Sequence, residues 1–156
     1  MDHDPIEKGG PGRHESAAPG DLRTVGRKKV FDLEQRLLEF AAALIDISEA
    51  LPKTRAGNHV AGQLLRSGTS PYSNHGEAES AESLDDFIHK MKVCLKELRE
   101  TRRWLRLIAL KEWLGENRLL RTELGESDEL IRIFVVSIRT ASKNRRGPKP
   151  IRPPAS

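Results

Sequence analysis

Residues 63–104 read QLLRSGTSPYSNHGEAESAESLDDFIHKMKVCLKELRETRRW. The stretch contains the end of one helical pattern, a polar crossing and most of a second, longer helix. Pro71 stands inside the first pattern, where proline removes a backbone donor and crowds the preceding turn, so a bend is expected near Thr69–Tyr72. Ser80 to Ser83 carries the chain across a turn. Ser83, with Asp86 three residues on, has the form of an N-cap. From there Phe87, Met91, Cys94, Leu98, Leu105 and Ile108 recur at helical spacing, the core stripe of an amphipathic helix.

The same periodicity extends outward. A first helix is predicted over Phe31–Leu51, with Leu33, Leu37, Phe40, Leu44, Ile47 and Leu51 on one face, widened by Leu38, Ala41 and Ile45. Pro52 stops it. A second helix is predicted over His59–Glu79 with Asn58 as its cap. Val60, Leu64, Leu65 and Tyr72 supply its apolar side. Gly62, Gly68 and Gly76 each cost a helix ~1 kcal/mol relative to Ala, a cost that close approach of a neighbouring helix can offset. The third helix spans Leu84–Leu114 and stops at Gly115. The segment from Glu116 to Gly125 reads as irregular or a short helix. Ser127 reads as the cap of a fourth helix carrying Leu130, Ile131, Phe134, Val135, Ile138 and Ala141. Its β-branched run IRIFVVSI could form a strand, but a lone strand among helices has no partner.

These elements define an all-α fold: an antiparallel up-down-up-down four-helix bundle over residues 30–142, flanked by disordered tails at 1–29 and 143–156. The N-terminal tail is rich in Gly, Pro and mixed charge, and its His3 and His14 have no partners for a metal site. The C-terminal tail is basic and proline-rich. The net charge of +4 divides unevenly: +1 in the first tail, −2 in the bundle and +5 in the last. The overall basicity therefore says little about the bundle itself. A single cysteine, Cys94, excludes an intramolecular disulfide and a multi-cysteine zinc site. No apolar run reaches the ~20 residues that span a bilayer, and no signal peptide opens the chain, so a cytoplasmic protein is expected.

Catalytic constellations are sparse. Bundles can hold di-iron centres on paired Glu-x-x-His motifs, and this chain offers Asp86-x-x-His89 once. Neither a phosphate-binding glycine loop nor a nucleophile elbow is present. We therefore expect no enzyme, no metal and no cofactor. The third helix carries the one pattern that points to a ligand. Lys92, Lys96, Arg99, Arg103 and Arg106 alternate at spacings of four and three, opposite the core stripe, in a line ~21 Å long. Such a line can follow a phosphate backbone. It can equally be a solvated charged face, with Glu100 pairing to Lys96 or Arg103. Lys143, Arg145 and Arg146 in the tail would add non-specific affinity. Further along, residues 104–114 are apolar on nearly every side. Trp104, Leu107 and Leu110 lie off the core stripe and call for a cover, either a second subunit or the segment 116–124 folded back.

The motif SGTSPYSNHGEAESAES, followed by DDFIHKMKVCLKELRET, resembles the signature of the bacterial four-helix-bundle proteins known as 23S rRNA intervening-sequence proteins. These are similar to the accessory variability determinant of diversity-generating retroelements. The resemblance covers roughly Phe31 to Asn144. Ser70, Asn74 and Glu77 match the family turn, whose usual form is Ser-Ile-x-x-Asn-Ile-Ala-Glu-Gly. Tyr72, His75 and Gly76 depart from it, and Ala78 stands where Gly is usual. The resemblance implies a bundle that assembles as a pentameric ring, has a basic surface suited to RNA or DNA, and in the retroelement case works with a reverse transcriptase. The function expected is thus a non-enzymatic, homo-oligomeric nucleic-acid-binding protein, RNA-directed and backbone-reading. The alternative is an oligomeric scaffold or adaptor that binds no nucleic acid.

Overall fold

The structure is a computed structural model that describes residues 22–147, with side chains from Leu33 onward. Four helices follow in order: α1 (Leu22–Ala50), α2 (Arg55–Glu79), α3 (Leu84–Leu110) and α4 (Arg118–Arg145). Each packs on the next in sequence, and α1 closes the ring against α4. Short connections make sequential neighbours antiparallel, the up-down-up-down arrangement. The tails at 1–21 and 148–156 lie outside the described residues. α1 begins at Leu22 and α4 runs to Arg145. Leu22 to Lys29, and Lys143 to Arg145, are therefore helical and not parts of tails.

The core follows the stripes. Leu37, Phe40, Leu44, Ile47 and Leu51 from α1 and its end meet Val60 and Leu64 from α2. Met91, Cys94, Leu98, Leu105 and Ile108 from α3 and Leu130 and Phe134 from α4 complete it. Leu38, Ile45 and Tyr72 do not widen the core; each is more than a third exposed. Their positions flank the buried stripes, where one layer of bundle leaves a helix uncovered.

The helix ends show where local signals compete. Thr54, not Asn58, caps α2, its Oγ1 accepting from Gly57 N at 3.1 Å. The helix can start this early because Gly57 passes against the turn that ends α1: a Cβ there would lie 1.9 Å from the Pro52 carbonyl oxygen. α2 continues through Pro71 to Glu79 as one helix. Ser70, Asn74 and Glu77 are consequently not in a turn; they lie along α2 at helical spacing. Ser83 caps α3 as expected, accepting from Asp86 N at 3.1 Å. α3 ends at Leu110 rather than Leu114, because Glu112 (φ 53°) and Gly115 (φ 58°) turn the chain. Trp113 and Leu114 fold from that turn onto the core. α4 starts at Arg118, capped by Asn117 whose side-chain oxygen accepts from Leu120 N at 2.9 Å. Ser127 is therefore inside α4, fully buried, with its hydroxyl donating to Leu124 O at 2.7 Å.

Candidate functional site

The five cations of the third-helix line are all exposed on α3. They line one groove of about 1280 Å³ together with Arg102, Glu100, Trp104, Leu95 and Leu107 of α3 and Asp128, Ile131 and Ile138 of α4. The helical period explains the line. The core positions Met91, Cys94, Leu98 and Leu105 fix α3's inward face, so residues 92, 96, 99, 103 and 106 must turn outward.

Charge in the groove is decided by which cations are already neutralised. Glu100 does not pair with Lys96 or Arg103. It pairs with Arg66 of α2, which also holds Glu97 at 3.2 Å. Asp128 pairs with Arg102. Among the described residues, Lys92, Lys96, Arg99, Arg103 and Arg106 enter no ion pair. Six cations and two carboxylates line the groove, and both carboxylates already have cationic partners. The surface is therefore strongly positive, a geometry that attracts polyanions and does so less as salt screens it.

Trp104 and Leu107, placed by the sequence at a subunit interface, open into this same groove. Trp104 is half-buried and packs in part against the core. Its indole N–H donates to Glu100 Oε1 at 3.4 Å. The His59 ring of α2 stands edge-on to it, centroids 6.2 Å apart and planes at 79°. Leu110 lies beyond the groove and is 81% exposed. The segment 116–124 covers neither Leu107 nor Leu110, both of which stay exposed. Lys143, Arg145 and Arg146 do not reach the groove. Arg145 pairs with Asp85 at 3.1 Å, which puts the end of α4 beside the start of α3. That is ~10 Å along α3 from Lys92, the near end of the cation line.

The matched motif residues bond within the bundle. Asn74 Nδ2 donates to the Ser70 carbonyl at 3.0 Å and to Ser70 Oγ at 2.9 Å. Glu77 pairs with Lys90 across α2 and α3, and that carboxylate holds the Lys90 ammonium above its usual range. His75 is buried, edge-on to Phe134 of α4. Burial pushes the Cys94 thiol up to about 12, and its sulfur lies 3.6 Å from the Pro71 carbonyl oxygen. Among the described residues, no three His, Cys, Asp or Glu side chains gather as a metal set, and no helix is long and apolar enough to cross a membrane.

Sequence reasoning missed His59, Arg66 and the α4 wall of Ile131 and Ile138. Each joins the site only across a helix–helix contact, which no spacing along one helix reveals.

Comparison with known proteins agrees with this architecture. The family model described as 23S rRNA-intervening sequence protein matches residues 29–134. A crystal structure of a protein of unknown function, from the S23 ribosomal protein family of Bacteroides thetaiotaomicron, is similar to this chain. The two are 32% identical with a TM-score of 0.63, over 69% of this chain and 98% of that one. No curated protein matches.

Proposed function

We propose, since this chain belongs to the 23S rRNA-intervening sequence protein family, that it is a non-enzymatic, cytoplasmic, homo-oligomeric protein that binds RNA through its phosphate backbone. The observation that carries this reading is the line of five exposed cations on α3, none of them in an ion pair among the described residues, gathered along one groove. A merely solvated face of mixed charge would use its carboxylates to neutralise that line. Here Glu100 and Asp128 are engaged by Arg66 and Arg102 instead. Phosphate contacts position a strand without reading its bases, so little sequence preference is expected. The family's name refers to an rRNA, which is why RNA is the first ligand to test.

The test is the combined change of Lys96, Arg99 and Arg103 to Gln. All three are exposed, so stability should move by less than about 0.5 kcal/mol. Affinity for RNA should fall similarly across sequences. The slope of log affinity against log salt should flatten by roughly two to three units, about one for each phosphate no longer neutralised. Unchanged affinity and slope in this variant would retire the reading and leave a scaffold or adaptor as the function.

A further inference from the structure

The groove is not lined by charge alone. Trp104, Leu95, Leu107, Ile131 and Ile138 line it beside the cations, and His59 stands edge-on against Trp104. A double helix presents phosphates and sugars outward and keeps its base faces stacked inside. On this groove it would satisfy the cations and leave the apolar lining uncovered. An unpaired strand offers both chemistries, with phosphates for Lys92 to Arg106 and a free base face for an aromatic ring. Resting on the backbone-binding function, we propose that Trp104, its ring braced by the His59 ring set across it, is a base-stacking platform that makes the groove selective for single-stranded RNA.

The choice of ribose follows from the two carboxylates. Glu100 and Asp128 line the groove, and a carboxylate repels phosphate but accepts a hydrogen bond from a hydroxyl. The ribose 2′-OH is such a donor, and a deoxyribose strand has none. Glu100 is also the acceptor for the Trp104 indole N–H at 3.4 Å, so the acceptor and the stacking ring sit together. The cations continue on both sides of Trp104, with Arg99 and Arg103 before it and Arg106 after. A strand can therefore lie along α3 with one base turned onto the ring.

The experiment uses the full chain and three fluorescein-labelled probes: a 12-nucleotide oligouridylate, the matching oligodeoxythymidylate and a 12-base-pair RNA duplex. Oligouridylate should bind most tightly. Trp104→Leu should weaken oligouridylate binding by about tenfold, the effect expected for one stacked base, and duplex binding by several-fold less, with no change of salt slope because no charge is removed. Trp104→Phe should restore most of the affinity. His59→Ala, at an exposed position, should give a smaller effect of the same pattern. It carries the test if Trp104→Leu loses helicity in circular dichroism. Duplex binding as tight as oligouridylate would overturn the proposal. So would oligodeoxythymidylate matching oligouridylate, or a Trp104 effect that is equal on all three probes. If the triple Gln variant binds like wild type, the backbone reading itself fails. If that variant loses binding while Trp104→Leu and His59→Ala do not, only the stacking platform fails.

Discussion

At the scale of single residues, three glycines of α2 look alike in sequence and behave differently in the bundle. The sequence suggests close helix packing at Gly62, Gly68 and Gly76, yet a Cβ at Gly62 or Gly76 would meet nothing within 4 Å. At Gly68 a Cβ would lie 2.3 Å from Leu44 Cδ1. Leu44 is fully buried, so its side chain can give way only by displacing its core neighbours. Gly68→Ala should therefore destabilise the bundle by ~1–3 kcal/mol through overpacking, although alanine is the better helix former. Gly62→Ala should stabilise it by up to ~1 kcal/mol. Urea midpoints of the two variants should move in opposite directions, and a raised midpoint for Gly68→Ala would contradict the packing at Gly68. Only the position of α1 distinguishes the three glycines, and no local pattern within α2 carries that position. Cys94 is legible, because its place on the core stripe alone implies burial. With its thiol pushed up to about 12, it should resist a thiol reagent at pH 8 in the native state and react only at the rate of opening. Rapid stoichiometric labelling in native buffer would show an accessible thiolate instead.

At the scale of elements, α3 is readable from sequence almost throughout and the start of α4 is not. α3 has a strong cap and one uninterrupted apolar period. α4 opens with Asn117, then passes Gly125 and Ser127, residues that resemble a break and a second cap. Tertiary packing overrides them: Leu120, Ser127 and Leu130 are all buried along one helix. Asn117→Ala should cost about 1 kcal/mol. Ser127→Ala should cost less than removal of a cap, since the hydroxyl donates to Leu124 O, a carbonyl inside the helix, and satisfies no orphan N–H at its start. A larger effect at Ser127 than at Asn117 would argue for the later start. The same helix carries a pH-dependent weakness. Glu123 is buried, and among the described residues its Oε2 has no hydrogen-bond partner. Desolvation, with Glu126 on α4 and Glu39 on α1 adding negative charge, pushes its carboxyl up to about 7. Arg36 of α1 is held by Glu126 at 2.8 Å. A carboxyl raised in the folded state binds its proton more tightly there than in the unfolded chain. Its contribution is thus present at about pH 4.5 and lost as pH rises towards and through 7. Glu123→Gln should flatten that slope and stabilise the protein at pH 8 by ~1 kcal/mol after solvent screening. Melting curves at pH 5 and pH 8 check the sign, and a variant less stable than wild type at pH 8 would reverse it.

At the scale of the whole molecule, the groove and the subunit contact expected from the sequence draw on the same residues. The sequence assigns Trp104 and Leu107 to a subunit contact, and they line the groove that the cations occupy. A second copy seated on them would bury Arg103 and Arg106, and both carboxylates of the groove are already held by other arginines. Unpaired buried charge is costly. Leu110 carries no such penalty. It is 81% exposed, lies beyond the groove at the end of α3, and its burial would contribute about 1.5–3 kcal/mol. Assembly that leaves the groove free should therefore run through Leu110. Leu110→Glu should leave circular dichroism unchanged, because the side chain touches little of its own bundle, and should shift light scattering to smaller species. Binding then separates assembly from the site. A 12-nucleotide strand, too short to reach several grooves, should bind Leu110→Glu as it binds wild type. A strand long enough to occupy several grooves at once should lose avidity, which can exceed tenfold when sites are linked. A wild-type chain that is monomeric at tens of micromolar would remove the homo-oligomer altogether. Equal weakening on short and long strands would show instead that Leu110 belongs to the binding groove.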